Sequence, residues 1–126
     1  MFKNLIIASV LGALAIVLGA FGAHALKESL SATELLSFET AVRYQMFHVI
    51  VLLFVNTYNG FTISQKNKIS LFFFLGILFF SGSIYAINLT SITAKSIWFV
   101  TPLGGLFFIV GWFSMIVIFA KKQVKK

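Results

Sequence analysis

Cysteine is absent from this chain of 126 residues, aspartate is absent as well, and the only acids are Glu28, Glu34 and Glu39. The missing thiols exclude disulfides, thiolate metal centres and a cysteine nucleophile, and they leave the redox compartment open. Charged residues make up 10% of the chain, well below the roughly 25% of a soluble domain. Proline occurs once, as Pro102, so long helices are free to run. What remains is apolar: 60% hydrophobic residues, sixteen of them phenylalanine, and a mean hydropathy of +1.01. The composition is that of an integral membrane protein. The net charge of +7 could suggest a nucleic acid, but the lysines sit at the ends of apolar segments and read as membrane anchors, so no nucleic-acid partner is expected.

About 20 apolar residues cross the hydrocarbon core, and four segments qualify. Residues 5–26 are interrupted only by Ser9 and His24; residues 69–87 are rich in phenylalanine; residues 97–120 carry Pro102 near their start. The second span, residues 38–57, has the weakest hydropathy, because only residues 49–55 are unbrokenly apolar, and it is expected to insert as part of a hairpin. Ser31-Ala-Thr-Glu34 fits a capping box that starts its helix ahead of the span. Asn59-Gly60 ends that helix and residues 64–68 form a short polar connection. The expected fold is all-α: one domain, residues 1–126, of four transmembrane helices in an antiparallel bundle.

Seven lysines (3, 66, 68, 121, 122, 125 and 126) fall on the side of the termini and second loop, against Lys27 and Lys95 on the other. The richer side stays cytoplasmic, so both termini are expected there, in the plasma membrane. Lys3, an apolar run and Ala23-His24-Ala25 also imitate a secretory signal, but the run exceeds the usual 7–15 residues, and a retained span is expected.

Within span two lies Glu39-x-x-x-Arg43-Tyr44-Gln45-x-x-His48. A charge at bilayer depth costs roughly 2.5–3.5 kcal/mol on insertion scales, so such residues normally face protein or water. Under the expected topology His24, Glu39 to His48, Ser81, Ser83, Tyr85, Asn88 and Thr101 all fall in the outer half, and the inner halves offer little comparable. The expectation is a polar pocket or hydrogen-bonded plug opening outward rather than a continuous water-filled pore, with His24, Glu39, Arg43, Tyr44, Gln45, His48, Tyr85 and Asn88 as its candidate residues. Glu39 and Arg43, spaced i,i+4 with the acid first, can pair. That pair either glues helices together or leaves Arg43 to bind an anionic headgroup or substrate with Glu39 as resting counter-ion. Tyr44, Gln45 and His48 share the other side of the helix, where His48 is expected to donate to a neighbouring carbonyl. His48 should lie about 12 Å deeper than His24, which argues against a bis-histidine haem or metal site, and no cofactor is expected.

Small residues set the packing. Ala8, Gly12, Ala15, Gly19 and Ala23 make a stripe on span one, with Gly22 beside it, and Gly104, Gly105 and Gly111 do the same on span four; such stripes let helices approach closely. Packing within one chain is their first meaning, and a homo-oligomeric seam the second. The phenylalanines of span three are expected to face lipid and Trp98 to sit in an interfacial belt.

Three motifs, Gly19-Ala-Phe-Gly-Ala-His24-Ala-Leu26, Arg43-Tyr-Gln-Met-Phe-His48 and Thr101-Pro-Leu-Gly-Gly105 leading into Gly111-Trp112, resemble in order those of the YgdD-like family of small membrane proteins. Phe47 stands where that pattern often has tyrosine. The resemblance covers nearly the whole chain and implies four spans; it implies no substrate or catalytic residue. A phosphate-cradling glycine loop, a His-Glu-x-x-His motif and a nucleophile elbow are all missing, so an enzyme is not expected. The expected role is lipid interaction or membrane assembly. A small oligomeric transporter or channel is the alternative, oligomeric because four helices alone enclose little space.

Overall fold

A computed structural model describes residues 2–126. Among them there is no strand, and four helices are long and apolar enough to cross a membrane: α1 (Lys3–His24), α2 (Ala32–Thr57), α3 (Ile63–Leu89) and α4 (Val100–Val124). Their 22 to 27 residues correspond to about 33–40 Å at 1.5 Å per residue, enough for the hydrocarbon core with some tilt.

Each boundary has a local cause. α2 opens on the expected capping box, in which Ser31 Oγ accepts from the Glu34 N–H at 3.1 Å and Glu34 Oε1 accepts from the Ser31 N–H at 3.0 Å. A second box, Thr62 with Gln65, starts α3 at Ile63. The polar segment 64–68 is therefore not a connection but the opening turns of α3, which begin well before the expected residue 69. α2 closes at Thr57, and α4 starts at Val100 rather than 97, with Pro102 in its first turn, where a missing N–H is harmless.

The helices run antiparallel. Asn4 of α1 bonds Asn56 near the end of α2 and Asn67 near the start of α3, and Lys122 near the end of α4 bonds the Gly60 carbonyl, so both termini lie at one end. α1 packs chiefly on α2, and α3 packs on both α2 and α4. The core forms where α2, α3 and α4 meet, around Leu52, Val55, Ile69, Phe73, Ile77 and Phe108. Outward faces carry Ile6, Val10, Ile16 and Val17 on α1 and Leu106, Phe113 and Ile116 on α4, all exposed. Such broad apolar surface suits lipid, not water.

One irregularity shapes the core. Residues Ile77–Ser81 form a π-turn, within which the Gly82 N–H reaches the Ile77 carbonyl five residues back. An inserted residue turns everything beyond it by about 100° on a 3.6-residue helix. Ser81 and Tyr85 thereby face α2, and Ser83 faces α4. At this turn α4 comes closest: a Cβ on Gly104 would collide with the backbone of Phe79 and Phe80.

Below it, rings and glycines interlock reciprocally. The Phe108 ring of α4 covers Gly76 of α3, and the Phe73 ring of α3 covers Gly111 of α4. This corrects the lipid-facing assignment of the span-three phenylalanines: Phe73 is fully buried, and Phe72, Phe74, Phe79 and Phe80 are half-buried against neighbours. The α1 stripe is taken up by α2. Ala8, Ala15 and Gly22 are buried, Gly12 faces Val49, and Gly22 faces the Phe38 ring, whereas Ala23 is exposed. Gly105 is at no helix contact; nothing lies within 4 Å of the place its Cβ would occupy.

Candidate functional site: a closed polar seam and a lateral groove

The structure divides the expected polar residues into two groups. Gln45, 2% exposed, sits at the junction of three helices. Its Nε2 donates to the Leu11 carbonyl of α1 at 2.7 Å, and its Oε1 accepts from the Tyr85 hydroxyl of α3 at 2.7 Å. A carbonyl can only accept, so the amide nitrogen must face Leu11 and the oxygen must face Tyr85. The small residues of α1 let this side chain reach backbone. One helical turn away, buried Ser81 donates to the Ala41 carbonyl at 2.7 Å, and Ser83 meets Thr101 of α4 at 2.5 Å.

His48 is fixed at both nitrogens. Its Nδ1 lies 2.6 Å from the Tyr44 carbonyl, which forces the proton onto Nδ1, and its Nε2 accepts from the Trp112 indole at 3.1 Å. The ring stacks on Phe108 with centroids 3.7 Å apart. The expected carbonyl partner is there; Trp112 was not anticipated, because the sequence does not reveal how α4 is rotated against α2. Tyr44 stacks on Phe80 at 4.9 Å. Among the described residues no buried side-chain nitrogen or oxygen lacks a partner. The seam is a hydrogen-bonded plug, and Gln45, His48 and Tyr85 do not line the groove between α1 and α2.

The remaining candidates stand apart from it. His24 is exposed at the end of α1, and Asn88 is half-buried near the end of α3. Glu39 and Arg43 are exposed, and Arg43 donates to Thr40 Oγ1 at 3.2 Å rather than to Glu39. Both side chains border a lateral groove between α1 and α2. Its upper part, about 210 Å³, is lined by Gly19, Phe38, Glu39, Val42 and Arg43. Its lower part, about 470 Å³, shares Gly19, Val42 and Arg43 and continues along Ala15, Ile16, Ala20, Met46 and Phe47. Gly19 leaves the groove open: a Cβ there would be 3.4 Å from the Val42 methyl, in ordinary contact.

The termini end is also polar, which corrects the expectation that the inner halves hold little. Asn4 Nδ2 donates to Asn56 Oδ1 and Asn67 Oδ1, both at 3.0 Å, while Asn56 Nδ2 donates to Ser70 Oγ at 2.8 Å. Asn4, Asn56 and Asn67 lie at matching helix ends, so this cluster is legible in the antiparallel pattern of the sequence.

A family model described as "Protein of unknown function (DUF423)" matches residues 18–105, more than half of the chain. The chain belongs to the DUF423 family. Among DUF423 relatives, a UPF0382 membrane protein of Staphylococcus saprophyticus is 44% identical over 112 residues, covering 86% of this chain and 92% of its own length. The UPF0382 inner membrane protein YgdD of Escherichia coli K12 is 36% identical over 120 residues, covering 90% of this chain and 86% of YgdD. No solved structure matches. The matched region holds Gln45, Tyr85, Ser81, His48, Gly104 and most of the Arg43 groove, while Ala15 and Ile16 of that groove, Trp112 and Asn4 fall outside it. Membership and the four apolar helices together identify a membrane protein and assign no reaction.

Proposed function

We propose that this protein holds an anionic lipid in the lateral groove between α1 and α2, and that the polar seam fixes the helices which shape the groove. The observation that carries this reading is the position of Arg43: it heads an apolar groove, it is exposed, and among the described residues its only side-chain hydrogen bond is to Thr40. A guanidinium can grip a phosphodiester with two parallel bonds, and the floor of Ala15, Ile16, Ala20, Met46 and Phe47 suits an acyl chain. Glu39 beside it disfavours an occupant with a second negative charge. The membrane is the bacterial cytoplasmic membrane, as the name of YgdD supports. A conduit is not supported, since the seam at the centre is filled with bonded side chains.

Native mass spectrometry of the protein extracted in mild detergent and titrated with phosphatidylglycerol tests the reading. Arg43→Gln should weaken retention about fivefold, the equivalent of one cation near a headgroup, with the thermal midpoint unchanged because Arg43 supports no helix contact. Gly19→Leu, which fills the groove, should reduce retention as well. Equal retention by wild type and both variants would show that the groove holds no lipid.

A further inference from the structure

A second site lies at the opposite end of the molecule. A cavity of about 660 Å³ opens there between the start of α1, the end of α2 and the start of α3, lined by Lys3, Asn4, Asn56, Lys66, Asn67 and the apolar Phe2, Leu5 and Ile63. We propose that this cavity binds a phosphate group, and that the group belongs to a phospholipid of the lysine-rich side.

The donors converge without any acid among them. Lys66, half-buried, spends one proton on the Asn56 carbonyl at 3.3 Å and has two to spare. Lys3 is exposed at the rim. Asn67 uses its oxygen to accept from Asn4, so its amide nitrogen remains free to donate, and among the described residues it has no partner. The α1 N-terminus adds to the field. Phe2 occupies its cap without a side-chain hydrogen bond, and the first helical N–H groups belong to Lys3, Asn4 and Leu5, all cavity residues. No glutamate lines the cavity, unlike the Arg43 groove.

The Asn4–Asn56–Asn67 bonds hold three helix ends in register and so preorganise the donors. Phe2, Leu5 and Ile63 form an apolar wall that a free phosphate does not need and a glycerol–acyl junction does. This end also carries Lys68, Lys121, Lys122, Lys125 and Lys126, the arrangement that attracts anionic headgroups. The site is independent of the Arg43 groove.

The test compares wild type, Lys3→Gln/Lys66→Gln and Arg43→Gln in detergent, each titrated with phosphatidylglycerol, phosphatidylcholine and inorganic phosphate, with binding read by native mass spectrometry and thermal shift. At about fivefold per cation, the double lysine variant should bind phosphatidylglycerol roughly thirtyfold more weakly at one of two sites, and Arg43→Gln should leave that site intact. Lys3→Arg/Lys66→Arg should retain binding, which separates a charge effect from misfolding. A thermal shift with inorganic phosphate that the lysine changes abolish would uphold the phosphate site and identify a soluble occupant; a shift with phosphatidylglycerol alone identifies the lipid. Unchanged binding of every probe by the folded double lysine variant would overturn the site. Loss of the Arg43-dependent lipid alone would leave it standing.

Discussion

Gln45 ties three helices through two bonds, and both partners are placed by structure far from it in sequence. Interhelical hydrogen bonds in membranes average about 0.6 kcal/mol and reach about 1.7. Tyr85→Phe should therefore destabilise by about 0.6–1.7 kcal/mol, since it leaves the Gln45 oxygen without a donor. In the Gln45→Leu background the same change should cost far less, and unfolding the four proteins of this cycle in detergent checks the coupling. Additive losses would mean that the two side chains do not act together. The shared face of Tyr44, Gln45 and His48 was legible from 3.6-residue spacing, and so was the His48 carbonyl bond. Trp112 and Leu11 were not, because a partner across a helix interface depends on the rotation of two helices. The Glu39–Arg43 pair shows the converse failure: i,i+4 spacing permits contact, but both side chains sit on an exposed face where Thr40 competes for the guanidinium.

Among the elements, α3 carries the feature furthest from sequence pattern. Four spans, the first capping box and the use of the α1 stripe for packing were readable from composition and spacing. The π-turn at Ile77–Ser81 was not, since Ile-Leu-Phe-Phe-Ser reads as an ordinary apolar run; the turn lies where α4 comes closest. Phe73, one turn before it, is a core residue because its ring covers Gly111 of α4, and this defeats the lipid-facing assignment. Two neighbouring glycines isolate the contact. Gly104→Ala should destabilise by about 1–3 kcal/mol, because its Cβ meets backbone that has no rotamer to yield. Gly105→Ala, next to it and in open space, should be neutral or stabilising, given the better helix propensity of alanine. Thermal unfolding of the two variants decides the matter, and equal stability would mean that α4 does not cross α3 at this point. Phe73→Ala should likewise cost on the order of 3 kcal/mol, whereas Leu78→Ala, on the exposed face, should cost little.

For the whole molecule, antiparallel packing puts both termini at one end, and the seven-to-two lysine bias leads us to propose that this end faces the cytoplasm. Reporter fusions at each terminus should both be active on the cytoplasmic side; an external carboxyl terminus would invert the assignment. In this orientation the Arg43 groove lies towards the outer leaflet and the Lys3–Lys66 cavity towards the inner one, with the closed seam between them. We propose that the groove between α1 and α2 holds a lipid gripped by Arg43. A density map of the protein in nanodiscs of phosphatidylglycerol tests it most directly. Elongated density is expected along Ala15, Gly19, Val42 and Phe47, with its head within hydrogen-bonding distance of the Arg43 guanidinium. A groove closed by α1 settling onto α2, with Arg43 turned to the membrane surface and no ordered lipid against it, would contradict the claim.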